Sequence, residues 1–147
     1  MGRKNVKSKT CRTWFESGFK IAHDAVKNEN VDLVAVAGFG DQAVEIANEL
    51  QVRRFEDYEL LLKQVDLDAV AIALPNGLHV PAVEKSIEAG IKYILLEKPI
   101  ANTVPEAEHI IDICEKAGVT LLVGHHRRSS SRYQFLRKFI ESGKLGI

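Results

Sequence analysis

The stretch from residue 68 to residue 99 constrains the fold most. It opens with Ala69-Val-Ala-Ile-Ala-Leu74, a continuous apolar run that reads as a strand buried on both faces. Pro75, Asn76 and Gly77 break the run. A helical pattern follows, with Val80, Val83 and Ile87 on one face and Glu84, Lys85 and Glu88 on the other. Gly90 closes that helix. Tyr93, Ile94, Leu95 and Leu96 then form a second buried strand, which delivers Glu97, Lys98 and Pro99 at its carboxyl end. Strand, helix and strand within about thirty residues make a right-handed βαβ unit. Open sheets of this kind bind ligands just past the carboxyl ends of their strands. Both breaks, 74–79 and 97–99, fall at such ends, and the chemistry is expected there.

Length and charge bound this reading. A chain of 147 residues suits one domain that buries roughly 70% of its unfolded surface. The 20 Lys and Arg balance the 20 Asp and Glu, so charge favours neither nucleic acid nor an anionic membrane as a partner. The ends are the exception: the start has Arg3, Lys4, Lys7, Lys9 and Arg12 and no acid, and the last twenty residues are also basic. No apolar run reaches the roughly eighteen residues that span a bilayer, and no secretory segment follows the start, so a cytoplasmic location is expected. Cys11 and Cys114 match no metal or redox spacing. Cys114 lies on the apolar stripe Ala107, Ile110, Ile111, Cys114, Ala117 and is expected in the core.

Taken in order, residues 1–10 are polar, basic and aperiodic and read as disordered. A helix is expected over 13–27, a strand over 31–37, and a helix with Val44, Ala47 and Leu50 on its apolar face, N-capped by Asp41. A short strand over 52–55 and a short helix over 58–65 precede the central unit. After it, Thr103 and Glu106 form a capping box with Pro105 in the first turn, starting a helix that runs to Ala117 and stops at Gly118. A strand over 119–123 leads to Gly124-His-His-Arg-Arg128 and three serines. An amphipathic helix follows, with Tyr133, Leu136, Phe139 and Ile140 apolar, ended by Gly143. This βαβ alternation from residue 31 onward argues an α/β fold with a parallel sheet.

Three motifs, Leu74-Pro-Asn-Gly-Leu-His79, Glu97-Lys-Pro99 and Gly124-His-His-Arg-Arg128, in that order and spacing, resemble the Gfo/Idh/MocA family (glucose–fructose oxidoreductase/inositol 2-dehydrogenase). The resemblance covers about residues 31–147. It implies an N-terminal Rossmann-like, doubly wound parallel sheet that binds NAD or NADP, and a second α/β domain carrying most of a sugar or polyol site. It implies that Lys98 is the catalytic lysine between nicotinamide and substrate. Leu74, Pro75, Asn76 and His79 would line the cofactor cleft, Glu97 would face the nicotinamide ribose, and His126 and Arg127 would sit near the nicotinamide end. Many members have Asn in place of His126 and Thr in place of Leu74. The resemblance also implies a cis Lys98–Pro99 bond, a small-molecule partner and a homo-oligomer.

The residues read by themselves leave alternatives open. A lysine at a strand end beside a carboxylate can donate to a developing alkoxide or a carbonyl oxygen, but most lysines are simply solvated. Asn76 could bond phosphate or ribose, and Pro-Asn-Gly is equally an ordinary turn. His79 could cap the helix it begins. His125 and His126 lack the spacing and the Cys or acidic partners of a metal site, and one of them is expected to pack while the other faces the cleft. Arg127 and Arg128 fit a solvated pair.

The chain departs from a dinucleotide-binding pattern in two places. Such domains run a first strand into Gly-x-Gly-x-x-Gly, where missing side chains let the pyrophosphate reach a helix N-terminus. Aligned on His23, this chain has Phe15, Ser17 and Lys20 at the glycine positions, and residues 10–14 would have to be the central strand. At the end of the 31–37 strand an acid normally holds the adenosine ribose. Here the sequence is Gly38-Phe-Gly40, with Asp41 one turn late.

These departures set the remaining expectations. Residues 1–12 are expected to lie outside the sheet or to be poorly ordered, a disordered or non-native start, with the first strand missing or degenerate and a gap or abnormal pairing between the 31–37 and 69–74 strands. A Rossmann-like domain is expected over 13–124, and a linker helix with the beginning of a truncated second domain over 125–147. An incomplete gene with a frameshifted start, an engineered piece and a degenerate paralogue would each give this pattern; the abrupt change near residue 15 favours the first. The parent activity is read as NAD(P)-dependent hydride transfer to or from a sugar, polyol or related hydroxy compound, with this fragment inactive alone. The competing reading is a non-catalytic nucleotide-binding or interaction module that has lost the phosphate loop.

Overall fold

The structure, a computed structural model, describes residues 8–13, 16–144 and 146, the side chains of 8–13, 16, 17 and 19 excepted. Six parallel strands form one sheet: β1 (Ser8–Thr13), β2 (Val31–Ala37), β3 (Arg53–Phe55), β4 (Ala69–Ile72), β5 (Tyr93–Leu96) and β6 (Thr120–Val123). Their order is β3-β2-β1-β4-β5-β6. Helices α1 (Glu16–Val26), α2 (Gly40–Glu49), α3 (Tyr58–Gln64), α4 (His79–Glu88), α5 (Val104–Ala117) and α6 (Ser131–Glu141) alternate with them. Strand order reverses between β1 and β4, and that crevice is where a doubly wound sheet binds its ligand.

The α/β, Rossmann-like reading holds, but the missing first strand does not. β1 lies at the centre of the sheet, paired parallel with β2 on one side and β4 on the other. Ser8 to Thr13 are therefore in the sheet, contrary to the expectation that residues 1–12 lie outside it; residues 1–7 are outside the described residues. The physical reason is that a parallel ladder is made by backbone groups. The facing edges of β2 and β4 each need partners for their N–H and C=O groups, and a polar segment supplies them as well as an apolar one.

The irregularity in the pairing lies between β1 and β2, and no gap or abnormal pairing between β2 and β4 is found, because β1 fills the space between them. Thr10 pairs with Leu33 and Cys11 with Ala35, so Val34 is an extra residue on β2. The bulge changes which face each side chain takes. Leu33 and Val36 join Ala22, Ala25, Ile46 and Ala47 under α1 and α2. Ala35 and Ala37 join Val70, Ile72, Ile94 and Leu96 in the larger core under α3, α4 and α5, with Leu61, Val83, Ile110 and Cys114.

Local signals set most boundaries. Around α5, Thr103 Oγ1 accepts the Glu106 N–H at 3.4 Å, while the Glu106 carboxylate accepts those of Asn102 and Thr103 at 3.1 and 3.0 Å. Gly118 ends the helix in the left-handed region at φ +65°, where a side chain would be strained. Asp41 does not cap α2. The cap position is Phe39, extended and without a side-chain bond, and Asp41 sits in the first turn. Gly40 turns the chain from β2 into that helix at φ +77°. The apolar face of α6 is exposed, including Tyr133, Leu136 and Ile140. Among the described residues, no helix is long and apolar enough to cross a membrane.

Candidate dinucleotide and substrate site

Three strand ends on the carboxyl edge are laced together by backbone bonds. The Glu97 N–H donates to the Ile72 carbonyl at 2.9 Å, and the Gly124 N–H donates to the Leu96 carbonyl at 2.8 Å. Each bond carries its ladder one residue past the strand, so the residues after β4, β5 and β6 are held in fixed relation. Glu97 and Lys98 follow from β5, and the Lys98–Pro99 peptide is cis, as the resemblance implied.

Beyond β4, Pro75 leads into a single 3-10 turn over Asn76–Leu78 that runs directly into α4. The Leu78 N–H donates to the Pro75 carbonyl at 2.8 Å. His79 opens α4 and is fully buried. Its Nε2 lies 2.9 Å from the Leu74 carbonyl oxygen and its Nδ1 3.2 Å from that of Ile100. A neutral imidazole donates through one nitrogen only, and the shorter contact makes Nε2–H the donor to Leu74. His79 therefore bonds the loop after β4, while its Nδ1 edge rests against the loop after β5. It has no surface left for a cofactor, so its part in the cleft is positioning. Leu74 likewise turns its side chain to the core and its carbonyl to His79. Pro75 is exposed and Asn76 half-buried at the end of β4, where both can face a ligand.

Gly124 has a function that the motif did not reveal. A Cβ there would meet Glu97 Oε1 at 3.1 Å and Cδ at 3.2 Å, which would displace the carboxylate. Glycine lets Glu97 lie flat against the end of β6, where its Oε2 accepts the Lys98 N–H at 3.2 Å. The carboxylate and the lysine main chain thus fix each other while the Lys98 side chain remains exposed.

Lys98, Gly124, His125, His126, Arg127 and Arg128 line a cavity of about 380 Å³. His125 and His126 are both exposed, so the expectation that one of them packs is corrected. The 3-10 turn over His126–Ser129 lies at the surface, with residues 125–129 all exposed. The Arg127 guanidinium lies over the Tyr133 ring at 5.9 Å from its centroid, which links the cavity to α6. The edge thus holds a lysine, two imidazoles and two guanidinium groups, a set suited to oxygen-rich or anionic ligands. Among the described residues no cluster of His, Cys, Asp and Glu could hold a metal ion.

Phe15 lies outside the described residues, as does the Ser17 side chain. Lys20, read as the third glycine position, is exposed on α1 and pairs with Asp24 at 4.0 Å. On the adenosine side, Gly38 sits at the end of β2 and donates its N–H to the Phe55 carbonyl at 2.9 Å. The Gly38 carbonyl accepts from Arg54 Nη1 at 2.9 Å. Sequence reasoning missed Arg54, since the pairing that brings β3 beside β2 is needed to find it.

The strand order and the furnished carboxyl edge define a dinucleotide-binding domain of the Rossmann type. Residues 14–125 match the GFO_IDH_MocA family, described as an oxidoreductase family with an NAD-binding Rossmann fold. The chain belongs to that family. It is 37% identical over 107 residues to D-xylose 1-dehydrogenase (NADP(+)) 2 of Haloferax volcanii, covering 71% of this chain and 33% of that protein. Its fold is similar to apo scyllo-inositol dehydrogenase of Lactobacillus casei, with a TM-score of 0.85 and 26% identity over 98% of this chain and 44% of that one. The same enzyme with bound NAD(H) and scyllo-inositol gives a TM-score of 0.83 at 26% identity, covering 95% and 42%. The chain spans about a quarter to a third of the length of the curated relatives it matches.

Proposed function

We propose that this chain is the cofactor-binding part of an NAD(P)-dependent oxidoreductase acting on a sugar, a polyol or a related hydroxy compound. The observation that carries the reading is the placing of Lys98 at the carboxyl end of β5, beside Glu97 and on the wall of a cavity shared with His126 and Arg127. A bound nicotinamide cofactor would supply the hydride chemistry. Lys98 Nζ would donate to the substrate oxygen, stabilising negative charge as it develops in one direction and polarising the carbonyl in the other. Glu97, held by Gly124, fixes the backbone from which that lysine extends. Pro75 and Asn76 would face the cofactor, His126 and Arg127 its nicotinamide end, and His79 holds the loop that presents them. The similar xylose and inositol dehydrogenases support the substrate class.

Lys98→Ala tests this in a full-length version with an intact phosphate loop. The expected result is a loss in kcat of about a hundredfold or more, with cofactor affinity little changed. Near-wild-type turnover would end the assignment.

A further inference from the structure

We infer that the adenosine end of this site is built for a 2′-phosphate, so that its dinucleotide is NADP rather than NAD. The inference rests on the dinucleotide reading above and deepens it. Domains of this type choose between the two cofactors at the end of the second strand. An acid there bonds the ribose 2′-hydroxyl, whereas an arginine nearby accommodates the 2′-phosphate.

Gly38 occupies that end in this chain, so no carboxylate projects from it to repel a phosphate. The neighbouring strand supplies the cation. Arg54 on β3 folds its guanidinium onto the Gly38 carbonyl at 2.9 Å, which puts the positive charge within one residue of the missing acid. Its Nη2 donates to Glu56 Oε1 at 2.9 Å, and these two bonds use two of the five guanidinium N–H groups. The Glu56 side chain is 70% exposed. The Arg54 side chain is 25% exposed and held in place, whereas Glu56 can swing into solvent and leave its site on the guanidinium to a doubly charged phosphate.

Phe39 completes the arrangement. It is 75% exposed, directly after Gly38, at the open start of α2. A large aromatic ring exposed there has no packing role, but it offers a platform on which an adenine can stack. Asp41, in the first turn of α2, is the one nearby acid on that helix start that argues the other way, and the test includes it.

Adenosine 2′,5′-bisphosphate and 5′-AMP differ only in the 2′-phosphate, and neither requires the pyrophosphate turn. Their dissociation constants for this chain, by calorimetry or NMR titration at low salt, are expected to favour the bisphosphate by about tenfold or more. Arg54→Gln should bring the ratio close to one, with Arg54→Lys intermediate. Gly38→Asp should weaken the bisphosphate alone, and Phe39→Ala should weaken both nucleotides together. Asp41→Asn should leave 5′-AMP binding unchanged; if it abolishes that binding, Asp41 is the ribose acid and the proposal falls. Equal affinities, or a preference that survives Arg54→Gln with unchanged circular dichroism, would overturn the 2′-phosphate site while leaving the dinucleotide reading intact. Saturable binding of neither nucleotide would overturn both.

Discussion

His79→Leu isolates the bond that holds the loop after β4. Leucine is close in size to the imidazole, so the change removes the donor without opening a large void. The Leu74 carbonyl, now bonded at 2.9 Å, would lose its partner beside a side chain that is fully buried. Leaving such a group unsatisfied costs about 1–3 kcal/mol. For a chain of this size each kcal/mol lowers the melting temperature by about 3 °C, so a fall of about 3–9 °C is expected in thermal unfolding followed by circular dichroism. The loss should also be local. Exchange of the Leu78 amide, which is bonded to the Pro75 carbonyl at 2.8 Å, should accelerate because the loop has lost its anchor. His79→Gln keeps an N–H donor and should recover part of the stability. A melting temperature unchanged within about 1 °C, together with unchanged Leu78 exchange, would refute the idea that His79 holds this loop.

Three further outcomes are expected. Thr103→Ala should cost about 1 kcal/mol by removing one half of the α5 cap, and Glu106→Ala should cost more, because its carboxylate serves two backbone N–H groups; urea unfolding that ranks them in the opposite order would contradict the capping geometry. Burial pushes the Cys114 thiol pKa up, so its thiolate is scarce near neutrality. Mass-resolved alkylation should then label the Cys114 peptide slowly in the native chain and rapidly in denaturant, and equal rates would show the site to be open. The whole dinucleotide should bind this chain weakly, because Phe15, Ser17 and Lys20 stand at positions where glycines let the pyrophosphate reach the helix start. Micromolar NADP affinity, titrated through the fluorescence of Trp14, would refute that.

What the sequence determined by itself were the features whose signals are local. The run 31–37 is apolar enough to be a strand on any reading, and it is β2 to the residue. Tyr93 to Leu96 became β5 for the same reason, and Thr103, Pro105 and Glu106 placed the start of α5 because a capping box is complete within four residues. The motif ends at 74–79, 97–99 and 124–128 were legible as a site because βαβ units bring strand carboxyl ends to one edge.

Only the tertiary structure decided the rest. Ser8 to Thr13 carry no apolar pattern, and their strand exists because β2 and β4 present two open backbone edges that are distant in sequence. The burial of His79 depends on a carbonyl twenty-one residues away. The need for glycine at 124 depends on Glu97 across a strand pair, and Arg54 approaches Gly38 only because β3 pairs with β2. In each case the deciding partner lies outside any helical or strand period, so the backbone pairing of the sheet has to be in place before the side chain acquires its role.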